Sequence, residues 1–304
     1  ISSVWQPAPL RCCTLSETRF WLIVHFKISG LANALADVNK KTVIIVFVTY
    51  LHFIPLQKRK IKMFEKLKRK GFQVVALHHA EAILKHDMID AAVELEKILL
   101  ELSIPAEELI RGGGGESSMT QRLRHALSEG YNWKKHNFEI KKIVDGQETE
   151  SITHEIDHVK RFPTGTFALE IEWNNKDPFF DRDLENFKRL HADGVISIGG
   201  IITRGVSLHE SLREVAAKFA RKYAINNFKT LSQYYTPTHR QQTMIENRTK
   251  VKGAFEEGWA DAFVADKFGE ATTHWRKLEE RVKRGVGNPC PLLLIGIPKQ
   301  VIIL

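Results

Sequence analysis

Three acidic residues open the chemistry of this chain: Asp157, Glu170 and Glu172. In the run Phe167-Ala168-Leu169-Glu170-Ile171-Glu172-Trp173 the two-residue period of a β-strand puts Glu170 and Glu172 on one face and Leu169, Ile171 and Trp173 on the other. Like charges ~7 Å apart on an apolar strand repel each other and resist burial. Asp157 lies in a second strand-like segment, and Phe162-Pro163-Thr164-Gly165-Thr166 between the two reads as a tight turn. A two-residue loop of Pro163-Thr164 sets Asp157 opposite Glu170, and one of Thr164-Gly165 sets it opposite Glu172. Either register gathers the trio on one face; a three-residue loop turns Asp157 away. Three such carboxylates suit a hard divalent cation held through oxygen, with positions left for water and a phosphate oxygen. The plain alternative is a set of solvated acids on the wet face of an antiparallel sheet.

The elements that must position these acids follow from periodicity. Residues 138–144, a turn at Asp145-Gly146 and residues 149–159 read as a hairpin that extends the acidic pair into a three-stranded meander. After Asp177-Pro178 a helix is expected, capped by Asp181 or Asp183 and stopped by Gly194. The nearly all-apolar run 195–202 reads as a strand covered on both faces. Residues 72–77 and 292–297 supply further strands, and a helix follows Asp87. Residues 211–225 are amphipathic and suit a helix packing on the core or on a second subunit. The expected fold class is α/β, a mixed central sheet flanked by helices.

The spacing Asp157, Glu170-Ile171-Glu172 resembles the PD-(D/E)xK nuclease motif in its variant that ends in Glu. Its context, from Trp173-Asn174-Asn175-Lys176-Asp177-Pro178 through Asn186-Phe187 to Ile202-Thr203-Arg204-Gly205, is similar to type II restriction endonucleases of the BamHI/BglII/BstYI group. The resemblance is clearest over residues 111–205 and absent before about residue 64. It implies a restriction-endonuclease-like fold and Mg²⁺-dependent hydrolysis of double-stranded DNA at a short palindrome, by analogy six base pairs around a GATC core. It also implies a homodimer. Asp157, Glu170 and the main-chain carbonyl of Ile171 are then the metal ligands, and Glu172 orients or deprotonates the attacking water. A supporting polar residue is implied too, and Glu116 and Asn137 compete for that place. The alternatives are a DNA-binding protein without cleavage and a structure-selective repair nuclease of the same superfamily.

Composition sets bounds around this reading. The 304 residues carry 45 Lys plus Arg against 36 Asp plus Glu, a net charge of +9 that suits a polyanionic partner. Three cysteines, Cys12, Cys13 and Cys290, provide neither a disulfide framework nor a metal-binding spacing, so a cytoplasmic setting is expected. Neither His78-His79 nor His154 with His158 has companions at a zinc-binding spacing. The Gly-rich loop at Gly112–Gly115 lacks the ending of a phosphate-binding P-loop. The apolar run 43–54 is too short to cross a membrane and reads as a buried strand; no membrane role is expected. Residues 1–62 are an N-terminal extension of uncertain status, and 63–304 a single endonuclease domain with its catalytic core at 111–205. In the polar stretch 234–242, Arg240, Gln241 and Gln242 have side chains suited to base edges, though an ordinary surface loop has the same composition.

Overall fold

The computed structural model describes residues 63–111 and 115–304. The apolar run at 43–54 and the glycines 112–114 lie outside the described residues.

Six strands form a mixed sheet: β1 (Gln73–Leu77), β2 (Lys134–Val144), β3 (Gln147–Phe162), β4 (Gly165–Glu172), β5 (Ile198–Arg204) and β6 (Leu292–Ile297). Their spatial order is β1-β6-β5-β4-β3-β2. The centre, β4-β5-β6, is parallel, and the outer pairs β1-β6, β4-β3 and β3-β2 are antiparallel. Every residue of β5 and β6 is buried, as expected of parallel strands covered on both faces. This is the mixed sheet flanked by helices that the periodicity predicts.

Helices cover both faces. On one side pack α1 (Ile89–Glu101), α2 (Ser118–Tyr131), α4 (Val206–Lys222) and α6 (Phe255–Lys267), against Phe167, Leu169, Ile171 and Trp173 of β4 and its continuation. On the other side α3 (Phe179–Ala192) lays Phe180, Leu184, Phe187 and Leu190 over Ala168, Ile201 and Leu292, joined by Trp275 and Leu278 of α7 (Trp275–Lys283). The spacing of those four α3 residues is the apolar stripe of an amphipathic helix. Gly199 is what lets α3 approach, because a Cβ there would stand 2.6 Å from the Phe187 ring. A polar helix, α5 (His239–Lys252), buries only Ile245 among its residues.

Several boundaries differ from the sequence expectation, for local reasons. Pro178, not Asp181 or Asp183, is the N-cap of α3, and it makes no side-chain cap; both aspartates lie inside the helix with other partners. Met88 rather than Asp87 precedes α1. Helix α2 ends where Asn132 takes a left-handed conformation, φ 61°. Helix α4 spends its apolar face on the core, burying Leu208, Leu212, Ala216, Phe219 and Ala220. Of the polar stretch 234–242, Thr238 caps α5, while Arg240 and Gln241 are both held by Asp266. No helix among the described residues is long and apolar enough to cross a membrane.

Candidate active site

The hairpin register decides where the acids meet. Phe162 pairs with Gly165 and His158 with Leu169, so Pro163 and Thr164 form the two-residue loop. Extending that register by one residue sets Asp157 opposite Glu170, and the Asp157 amide donates to Glu170 Oε1 at 3.4 Å. Of the two registers the sequence allows, this is the first.

Glu170 and Glu172 share the face of β4 that carries Ala168, which is the face under α3. Both are 3% exposed, whereas Asp157 is exposed. From α3 comes a fourth carboxylate, Asp183, 1% exposed. Arg182 ties it down: Nε donates to Asp183 Oδ1 at 2.9 Å, and Nη2 lies 2.8 Å from the same oxygen and 3.6 Å from Glu172 Oε1. Asn175 Nδ2 donates to Glu172 Oε2 at 2.8 Å. Asp183 Oδ2 is buried without a hydrogen-bond partner.

The electrostatic consequence is a proton-hungry cluster. Burial, then the Asp183, Asp157 and Glu172 charges, raises the Glu170 pKa well above the carboxylate range. Burial and Asp183 push Glu172 up to about 8. Burial raises Asp183 as well. Three buried carboxyls against one half-exposed guanidinium leave negative charge that either protons or a cation must offset. The donor set, all oxygen with one orphaned carboxylate atom, fits a hard divalent cation. No three of Asp157, Glu170, Glu172 and Asp183 bring oxygens to within 4.8 Å of one another, so closure on an ion needs side-chain adjustment.

Asp157 and Ile171 lie on the wall of a cleft of about 670 Å³, which is also lined by Glu116, Arg124, Lys135 and Lys267. Of the two sequence candidates for a supporting role, Glu116 stands on this wall, paired with Arg124 at 2.9 Å. Asn137 faces Glu155 one step along the β2-β3 ladder and is not part of the wall. Lys135 occupies the place nearer the acids: its Nζ lies 2.6 Å from Glu155, and Asp157 and Glu170 add to what raises its pKa after that hydrogen bond.

Three participants escaped sequence reasoning. Asp183 reads as a candidate helix cap and Arg182 carries no local signal, and only the packing of α3 on β4 brings them to Glu172. Lys135 sits beside a register shift between Lys134 and His136, which no strand period reveals.

A family model described as restriction endonuclease BglII/BglIII matches residues 72–297. No curated protein matches the chain.

Proposed function

From the premise that the chain belongs to the BglII/BglIII restriction endonuclease family, shown by a match over most of its length, we propose that it hydrolyses double-stranded DNA with Mg²⁺ at a short palindrome. The family points to a type II restriction endonuclease that cleaves DNA, and enzymes of this kind usually use a divalent metal. The observation that carries the finer reading is the pairing of Asp157, on the wall of a cleft lined by Arg124, Lys135 and Lys267, with Glu170, which is buried and does not itself line the cleft. Asp157, Glu170 and the carbonyl of Ile171 are the proposed ligands. A bound Mg²⁺ would lower the pKa of water and offset charge on the scissile phosphate.

The remaining roles belong to the chain itself. Lys135 and Arg124 bind backbone phosphates and set the strand against the acids. Glu172, whose burial-raised proton affinity the charge of a bound cation would lower enough to leave it ionised, takes a proton from the attacking water. The water oxygen bonds to phosphorus as the phosphorus–oxygen bond to the leaving strand breaks, and the departing oxygen takes its proton from solvent water. Asn175 and Arg182 hold the Glu172 carboxyl while this happens. Glu116, on the cleft wall, is the proposed supporting residue. Residues 63–304 are proposed as one endonuclease domain acting as a homodimer, since a two-fold assembly matches a palindrome.

Incubating plasmid with the protein, with and without Mg²⁺, tests this. Discrete fragments with a common end sequence, formed only with the ion, are expected. A salt-sensitive gel shift without cleavage at any divalent ion overturns the reading in favour of a DNA binder.

A further inference from the structure

A second constellation lies on another part of the fold and owes nothing to the nuclease reading. His209 is in the first turn of α4, Glu270 follows α6, and His274 is the N-cap of α7. His209 Nε2 lies 3.5 Å from Glu270 Oε1, and His274 Nε2 lies 3.6 Å from Glu270 Oε2. One ligand atom from each residue falls within 4.8 Å of the other two. At metal–ligand bonds of ~2.0–2.1 Å, neighbouring ligands around a tetrahedral ion stand about 3.3–3.5 Å apart, and each imidazole nitrogen lies near that distance from one or other oxygen of Glu270.

The polar atoms here are unsatisfied to an unusual degree. His274 is 1% exposed, and neither of its ring nitrogens has a hydrogen-bond partner. His209 Nδ1 is likewise buried and unpartnered. Buried polar groups are ordinarily bonded, so two bare nitrogens on one buried ring call for an occupant. Burial holds the His274 pKa down to about 4, which leaves its lone pair free at neutral pH.

We propose that His209, Glu270 and His274 form a binding site for one Zn²⁺, which fastens the start of α4 to the turn ahead of α7. Two imidazoles and a single carboxylate favour Zn²⁺ over Mg²⁺ or Ca²⁺, which rely on oxygen. Buried Arg204, which lends positive charge to both histidines, works against an ion held by charge alone. Glu270 is exposed and leaves the fourth position open to water. The two rings are stacked, 4.0 Å apart and 7° from parallel, so no single ion can lie in both ring planes. Binding therefore turns the partly exposed His209 ring out of the stack. The site reaches the acids through the backbone: Thr273, next to His274, exchanges hydrogen bonds with Asn175, which holds Glu172.

The test uses the full chain without a polyhistidine tag, dialysed against Zn²⁺ in excess Mg²⁺, with metal counted by mass spectrometry. The wild type should retain one Zn²⁺ per chain. H209A and E270A, which alter partly or fully exposed side chains and spare the buried His274, should lose it; E170Q should keep it. Zn²⁺ should raise the wild-type Tm by roughly 5–10 °C and leave H209A unmoved. Zinc absent from the wild type, held equally by H209A, or lost from E170Q instead overturns the proposal.

Discussion

Glu172 and Asp183 meet across the seam between β4 and α3, both almost wholly buried, with Arg182 bridging them at 3.6 and 2.8 Å. Burial and the facing Asp183 carboxylate raise the proton affinity of Glu172, while Asp183 is raised by burial and held back by its contacts with Glu172 and Arg182. Asp183→Asn should remove the repulsion while Oδ1 still accepts from Arg182, and its new amide can donate to Glu172. Without divalent ions at about pH 8 the variant should melt higher than wild type, by an amount on the order of 1 kcal/mol. It should also bind Mg²⁺ more weakly. A lower Tm for the variant under those conditions would show that Asp183 is not repelled by its neighbour.

The pH dependence of stability follows from the same carboxyls. In the folded chain Glu172 titrates at about 8 rather than 4.5, so folding retains a proton that the unfolded chain releases. The stability this confers is complete below about pH 4.5 and is lost as pH rises through about 8; Glu170, also shifted upward, adds in the same direction. Below about pH 6.5 the buried His158 and His274, both held down to about 4, work in the opposite direction, so melting in EDTA from about pH 7 to 8.5 should show a falling Tm, and Mg²⁺ should restore it most at the alkaline end. A flat profile in EDTA contradicts the buried cluster.

Cleavage should depend on the pair that meets through the Asp157 amide. Glu170→Gln and Asp157→Asn keep shape and hydrogen bonding but each removes a charge from the proposed ligands. Each should lower cleavage by roughly a hundredfold or more, about 2.7 kcal/mol or more in the barrier. Gel shifts in Ca²⁺ should show DNA binding retained. Glu170→Gln cutting at the wild-type rate would falsify its role as a ligand.

Lys135 separates affinity from chemistry. Its ammonium stands at the cleft wall, more than half exposed and paired with Glu155. Lys135→Ala should weaken binding to all duplex sequences alike and reduce the slope of log K against log salt by about 0.9, the value of one phosphate contact. An unchanged slope removes Lys135 from the DNA path.

Much of this arrangement is legible in the amino-acid sequence. Strand period, the turn at 162–166 and the apolar runs of β5 and β6 put Asp157 on one face with Glu170 and Glu172 and predict a mixed sheet, but leave two loop registers open, and the pairing of Phe162 with Gly165 selects the one that sets Asp157 opposite Glu170. What stayed hidden is set by packing between elements. Asp183 joins Glu172 only because Phe180, Leu184 and Phe187 seat α3 on the sheet, and a helix period says which face is apolar, not which strand it covers. His209 and His274 meet through the packing of α4 near α7, a contact with no spacing rule to betray it.

Arg182 should behave oppositely to Asp183, and the contrast tests the charge balance most directly. Its guanidinium lies over the Phe179 ring, 4.4 Å from the centroid, and is the one cation bonded to the buried acids among the described residues. Removing it strands three carboxyls, but the side chain is 54% exposed, so solvent screening lowers the cost. Arg182→Ala should destabilise the ion-free protein by about 1–2 kcal/mol near pH 8 and by less near pH 5, where Glu172 is protonated. In the Asp183→Asn background the loss should shrink, because the main partner of the guanidinium is already neutral. A coupling of about 1 kcal/mol between the two substitutions is expected from thermal melts of the four proteins. Additive effects would mean that Arg182 acts through its stacking on Phe179 and not through the acids.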